Sequence, residues 1–450
     1  MTNKELLNKK IGFISLGCDK NRVDLEKIIA LVKNAGFSTA DDVKDASIVI
    51  INTCSFIESA RKESVDVILN TINYKAKHCE KIIVTGCLNQ MNYTDLESSL
   101  PEVDYFLKVA DNDKIVNIIY GLYGLELKES ANYCNTNRVL STPHHFAYLK
   151  ISEGCNNFCS YCTIPYIRGR FVSTPMEQLI NEATSLAQAG VKELILVGQD
   201  VTKYGFDLYG KNSLVKLIQE LSKIDGIKWI RLLYCYPELV DDELIAEMKN
   251  NDKVVKYIDL PIQHINSDIL KSMNRRTDKN KILEVIHKLK TQIPNIAIRT
   301  TFILGFPGES QQQFEEVIQF LKDEKLTNVG FFAYSREEGT RAYSFPNQVP
   351  TRTKNARVKK AYLTQQLIVN SNNKDLLNKT FDVIIDELEN DTFIGRTYMS
   401  APEVDTVVYM PVSKDVKVGD IVKVKITNII DYDLEGEILW IYPTKYLVSV

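Results

Sequence analysis

The stretch EGCNNFCSYCTIP, Glu153 to Pro165, follows directly on an apolar run, Ala147 to Ser152, that reads as a β-strand. It sets Cys155, Cys159 and Cys162 in CxxxCxxC spacing on a loop, where three thiolates can wrap one face of a metal cluster. Iron-sulfur clusters usually take four cysteines, so three close ligands with no fourth nearby leave one iron open to a reactant. The alternative is a zinc knuckle, which expects CxxC pairs completed by a further Cys or His. His144 and His145 precede the strand and are either such ligands or packed side chains.

Outward from this loop, apolar strand-like runs alternate with amphipathic helical stretches. After Ala147–Ser152 come Glu193–Val197, Trp229–Tyr234, Tyr257–Leu260, Ile296–Ile303 and Asn328–Tyr334. Six βα units in series predict a partial barrel, whose chemistry belongs at the C-terminal ends of the strands. Upstream, Ile11–Leu16, Ser47–Asn52 and Lys81–Thr85 are each followed by a helical pattern and predict a parallel-sheet βαβ domain. Downstream, a long basic helix from Arg352 to Lys379 leads into short alternating runs, Phe381–Ile385, Thr406–Met410, Ile421–Ile429 and Gly436–Tyr442, as in a small antiparallel β-barrel. The α/β chain thus divides into an N-terminal domain (1–128), a polar linker (129–143), a barrel core (144–373) and a C-terminal β-barrel (374–450).

The N-terminal strands carry a second pattern. Cys18 follows IGFISLG, Cys54 follows SIVIINT and Cys87 follows KIIVTG, so each closes one expected strand. Parallel strands end on a common edge, which brings the three thiols to the crevice where open α/β sheets bind ligands. Buried cysteines also serve as small core hydrophobes; recurrence at three equivalent strand ends favours metal. Cys79, Cys134 and Cys235 lack that placement and read as packing or surface thiols.

The 450 residues are 44% hydrophobic and 25% charged, a globular composition, with a net charge of −3 and no strongly basic footprint for nucleic acid. Nine cysteines fit metal ligation in a reducing compartment better than a disulfide framework. The run Ile11–Leu16 is too short for a signal h-region or a span, so a cytoplasmic protein with no membrane partner is expected.

CxxxCxxC after the first strand of a βα barrel resembles the radical S-adenosylmethionine superfamily. The resemblance implies that Tyr161 lies near the adenine, that Gly198, Gln199 and Asp200 meet the methionyl amino group, and that Gln263, Arg299 and Gly305 make ribose, carboxylate and adenine contacts. Two three-cysteine sets with a C-terminal barrel resemble, more narrowly, the methylthiotransferase family, through SLGCDKNRVD (Ser15–Asp24), INTCSFIESA (Ile51–Ala60), YSREEGTRA (Tyr334–Ala342) and DYDLEGEI (Asp431–Ile438). Asp19 and Leu25 depart from the usual proline and serine, at positions that are not ligands. The family implies two 4Fe-4S clusters, one on Cys18, Cys54 and Cys87 and one on Cys155, Cys159 and Cys162, a TRAM-like C-terminal barrel for substrate recognition, and two molecules of S-adenosylmethionine per turnover. It also implies a sulfur donor and an electron donor such as flavodoxin or ferredoxin.

The family divides between enzymes acting on an adenosine of transfer RNA and a branch acting on the β-carbon of an aspartate in small-subunit ribosomal protein 12, free or on the ribosome. From Asn378 to Val450 there are 7 Lys and Arg against 13 Asp and Glu, a net of −6. That would repel a phosphate backbone and attract a basic protein. Together with the quoted strings this favours the ribosomal-protein branch, with no direct nucleic-acid substrate. The alternatives are the same chemistry on transfer RNA and a non-catalytic iron-sulfur electron-transfer protein.

Overall fold

In the computed structural model the described residues are 1–90, 96–127 and 138–441; Cys134, most of the 129–143 segment and the last nine residues lie outside them. Five parallel strands form the N-terminal sheet: β1 (Lys10–Ser15), β2 (Ser38–Thr39), β3 (Ile48–Thr53), β4 (Lys81–Gly86) and β5 (Tyr105–Phe106), in the order β2-β1-β3-β4-β5. β3, with the sequence IVIINT, is buried at every position because helices cover both faces of the sheet, and a continuous apolar run is what such a strand requires. The two-residue strands β2 and β5 escape the sequence reading, since two residues show no periodicity.

The core opens with β6 (Phe146–Lys150). A short antiparallel pair follows, β7 (Ser152–Glu153) with β8 (Val172–Ser173), flanking the cysteine loop. Then come β9 (Glu193–Val197), β10 (Trp229–Leu232), β11 (Val254–Asp259), β12 (Ala297–Leu304) and β13 (Asn328–Ala333). The six long strands are all parallel, in the order β13-β12-β11-β10-β9-β6, the partial barrel that the six βα units predict. Alternation sorts their side chains: Ala147, Leu149, Leu194 and Leu196 pack under the helices, while Phe146, Tyr148, Ile195, Val197 and Tyr257 face inward.

The C-terminal domain is a closed barrel of β14 (Thr380–Glu389), β15 (Thr392–Thr397), β16 (Val408–Pro411), β17 (Ile421–Ile430) and β18 (Asp433–Ile441). β15 is absent from the sequence reading because Gly395 and Arg396 interrupt its apolar pattern; Gly395 is needed where a Cβ would lie 2.7 Å from Val383 Cγ1. The long helix runs from Thr351 to Lys374, five residues short of the expected Lys379. Asn378, at φ +65°, turns the chain into β14.

Both flanking domains reach the inner face of the core sheet. Val23, from helix Asp19–Asn34, packs there with Ala401, Tyr398 and Met399 of the β15–β16 connection. Arg22 Nη1 lies 2.7 Å from Glu403 Oε1, joining the two flanking domains directly. The chain at Arg138–Ser141 is anchored rather than free: Arg138 pairs with Glu26 at 3.1 Å and Glu182 at 3.0 Å, and the Ser141 amide donates to Glu26.

Candidate active site

The N-terminal thiols owe their approach to the turns before them. Gly17 has φ +91°, and a Cβ on it would stand 2.8 Å from the Cβ of Cys54. Only glycine lets the Cys18 and Cys54 loops come so close. Asn21, fully buried, stitches the edge together: its Nδ2 donates to Leu16 O at 3.1 Å and Thr53 O at 2.9 Å, while Asn52 Nδ2 donates to its carbonyl at 2.6 Å. The Cys87 amide donates to Thr53 O at 2.9 Å, and Ser55 Oγ donates to Cys87 O at 2.9 Å. Cys18 is exposed, Cys54 half-buried and Cys87 buried. Burial raises the Cys54 thiol, and pushes that of Cys87 up to about 11 although the nearby Arg168 guanidinium opposes the rise.

The second set sits on the loop between β7 and β8. Phe158, at φ +49°, is a bulky residue in left-handed backbone; Asn274 Nδ2 holds it by donating to Asn157 O and Phe158 O at 3.2 and 2.9 Å. Asn157 Nδ2 donates to Asp200 Oδ2 at 2.9 Å, and Ser160 N donates to Met273 O at 2.9 Å. Cys155 and Cys159 are buried and Cys162 half-buried. Burial pushes the Cys155 thiol up to about 11 and that of Cys162 higher still.

Among the described residues no three His, Cys, Asp or Glu side chains gather tightly enough to hold one metal ion. An iron-sulfur cube does not require that, because each thiolate takes its own iron. Two sets of three thiols, each at one edge, suit a cluster in donor chemistry. His145 Nε2 lies 2.8 Å from Asp386 Oδ1 of the C-terminal barrel.

Of the residues expected around S-adenosylmethionine, Tyr161 packs against Met273, Phe306 and Tyr334, and burial raises its hydroxyl pKa beside Cys159 and Arg275. Gln199 donates to Glu153 Oε1 at 3.2 Å and leaves its own buried Oε1 without a partner; Ser152 Oγ is likewise unmatched. Such orphans suit a polar ligand. A Cβ on Gly198 would lie 2.5 Å from Ser152 Oγ. Gln263, at φ +71°, bridges β12 by its backbone, taking Thr301 O and Ile303 N at 2.8 Å each. Three residues are otherwise engaged. Arg299 is held by Asp259 at 3.1 Å and Asp405 at 3.3 Å, and Gly305 donates its amide to Glu309 at 2.6 Å beneath the Lys354 side chain. Asp200 is spent on Asn157, Thr202 and Lys203.

Sequence reasoning misses the charges between the two cysteine sets. Asp24 and Glu153 face Lys150 and Arg168 in a quartet whose Asp24 and Arg168 are buried: Arg168 Nη1 lies 2.6 Å from Asp24 Oδ2 and 3.2 Å from Glu153 Oε2, and Lys150 reaches both carboxylates. Burial works against the ionised Asp24, but Lys150 and Arg168 outweigh it and hold the carboxyl at about 2. Arg275 is the counterpart beside the other set. It is buried, stacked 4.1 Å from the Tyr236 ring centre, and its Nε and Nη1 have no partner. Six residues past Cys162, Arg168 carries no signal of this in its spacing.

Comparison with known proteins agrees with this geometry. Residues 149–321 match the radical SAM superfamily, 10–108 the uncharacterized protein family UPF0004 and 379–439 the TRAM domain. The chain is 48% identical to ribosomal protein uS12 methylthiotransferase RimO of Clostridium botulinum, over 95% of this chain and 97% of that one. It is 46% identical to the protein of the same name from Thermoanaerobacter sp., over 95% and 100%. In fold it is similar to the radical S-adenosylmethionine methyltransferase TsrM of Kitasatospora setae, with a TM-score of 0.56 at 12% identity, covering 74% of this chain and 77% of that one. Alike over nearly its whole length to such relatives, the chain belongs to the RimO family of radical S-adenosylmethionine methylthiotransferases.

Proposed function

We propose that this protein attaches a methylthio group to the β-carbon of an aspartate in ribosomal protein uS12, with Cys155, Cys159 and Cys162 holding the 4Fe-4S cluster that binds S-adenosylmethionine and Cys18, Cys54 and Cys87 holding a second. When bound, the first cluster supplies the electron that cleaves S-adenosylmethionine and so opens an inert C–H bond to attack, which no side-chain base could achieve beside a carboxylate. The chain's own part is placement. Asp200 and Asn274 fix the Cys155–Cys162 loop through Asn157, and Gln199 and Ser152 offer unmatched polar atoms beside it. Half-buried Tyr161 and buried Tyr236 and Arg275 line the same side of the site. Domain limits at 1–128, 144–373 and 374–450 suit this division of labour.

The observation that carries the two-cluster reading is a single run of contacts between the cysteine sets, buried as far as Arg168. Cys87 Sγ lies 3.5 Å from Asn21 Oδ1, Arg168 Nη2 donates to the same oxygen, and Arg168 pairs with Glu153, two residues before Cys155. Chemistry shared between two such groups would need them held at a fixed separation, and the run ties Cys87, which would hold one, to Glu153 beside Cys155, which would hold the other.

The acidic barrel supports a protein substrate in a modified form. Asp386, Glu403, Asp405 and Asp420 are spent on Arg396, Arg22, Arg299 and Lys192, so part of the net −6 serves domain docking. Glu387, Glu389 and Asp391 remain exposed at the β14–β15 hairpin, where a basic protein would be attracted and a phosphate backbone repelled. A sulfur donor and a flavodoxin- or ferredoxin-like reductant complete the reaction. The test is mass spectrometry of uS12 after incubation with the reduced enzyme, S-adenosylmethionine and sulfide. A gain of one methylthio group is expected; methylthiolation of added transfer RNA with uS12 unmodified would overturn the assignment.

A further inference from the structure

We propose that Arg168 is a positioning residue that sets the reduction potential of the N-terminal cluster, its buried guanidinium lying against Cys87 through Asn21 and balanced from behind by Asp24 and Glu153. The inference rests on the reading that Cys18, Cys54 and Cys87 hold a cluster.

The geometry leaves Arg168 little freedom. Its side chain is 2% exposed. Nη2 donates to Asn21 Oδ1, the atom that Cys87 Sγ approaches at 3.5 Å, and Nη1 is shared by Asp24 and Glu153. Asn21 cannot turn away, because both hydrogens of its amide are committed to Leu16 O and Thr53 O. One cation is therefore pinned beside one ligand sulfur of the N-terminal set.

A one-electron reduction adds a full negative charge to a group that is already anionic. In a site of low polarity a fixed cation nearby favours the reduced form strongly, and potentials of iron-sulfur clusters follow net charge and hydrogen bonds near the sulfurs. The quartet Asp24, Glu153, Lys150 and Arg168 is neutral as a whole, with the Arg168 end toward Cys87. Removing the cation must lower the potential. Removing the Asp24 charge, which leaves Arg168 less compensated, must raise it. A merely structural role would move both variants the same way.

The experiment uses full-length protein carrying Cys155→Ala, Cys159→Ala and Cys162→Ala, reconstituted anaerobically so that only the N-terminal cluster remains, and titrated with dithionite while the reduced cluster is followed by electron paramagnetic resonance. Arg168→Gln is expected to shift the reduction equilibrium about tenfold toward the oxidised form, about 59 mV for one electron. Arg168→Lys should restore much of it, and Asp24→Asn should shift it the opposite way. An unchanged potential in Arg168→Gln with about four irons bound overturns the inference and leaves the cluster reading standing. Absence of iron from the parent overturns both. Should Arg168→Gln fail to fold, Asp24→Asn decides: a shift toward the oxidised form, or none, defeats the proposal.

Discussion

The carboxylate of Glu193, on β9 of the core, holds Arg396 of the C-terminal barrel at 2.9 Å between Oε2 and Nη2, with both side chains buried. Its other oxygen takes Arg231 Nε at 2.7 Å, and Arg396 continues to Asp386 at 2.6 Å. Glu193 thus joins two buried guanidinium groups across the domain boundary. Changing Glu193→Gln should cost about 3 to 5 kcal/mol, because uncompensated buried charge is expensive. Chemical denaturation would check this, and the added change Arg396→Met should recover part of the loss.

Gly17 should decide whether the cluster proposed on Cys18, Cys54 and Cys87 can form. Gly17→Ala would put a methyl group 2.8 Å from Cys54 Cβ in a backbone conformation that alanine avoids. Iron in the reconstituted protein should fall from about eight per chain to about four, while S-adenosylmethionine cleavage persists. Retention of the full iron complement would show that the turn tolerates the methyl.

The two cysteine sets should separate by assay. Reduced protein lacking Cys18, Cys54 and Cys87 is expected to release 5′-deoxyadenosine from S-adenosylmethionine and to modify no substrate. Protein lacking Cys155, Cys159 and Cys162 should release none. Chromatography of the nucleoside product distinguishes them without any knowledge of the macromolecular substrate.

Asp24 gives an acid signature. Its carboxyl titrates at about 2 in the folded chain against 3.8 ordinarily, so the unfolded chain binds the proton first as pH falls. The stabilisation, about 2 kcal/mol, is complete above pH 4 and is lost between about pH 4 and 2. Unfolding free energy should therefore fall more steeply over that range in the wild type than in Asp24→Asn, which starts lower and has no such proton to gain. Parallel slopes in the two proteins would remove Asp24 from the account.

The fold is legible in the sequence because it rests on local pattern, and the two proposed cysteine sets rest on the same kind of pattern. Apolar runs such as IVIINT need no partner to declare a buried strand, and CxxxCxxC fixes three thiols on one loop. Strand-end placement carried the reading to Cys18, Cys54 and Cys87, since parallel strands must finish on one edge. The neighbours of Arg299 and Gly305 are not announced by local pattern. Asp405 from the C-terminal barrel takes the first and Lys354 covers the second.

What the sequence by itself determined is the long elements and the positions of the cysteines along them, because backbone periodicity and short-range spacing are properties of neighbouring residues. Only the tertiary structure decided the charges. Asp24 meets Arg168 across 144 positions, and Glu193 meets Arg396 across 203. No pattern in the chain announces such pairs. They form because burial makes a lone charge costly, so each must be matched by whichever opposite charge packing brings beside it.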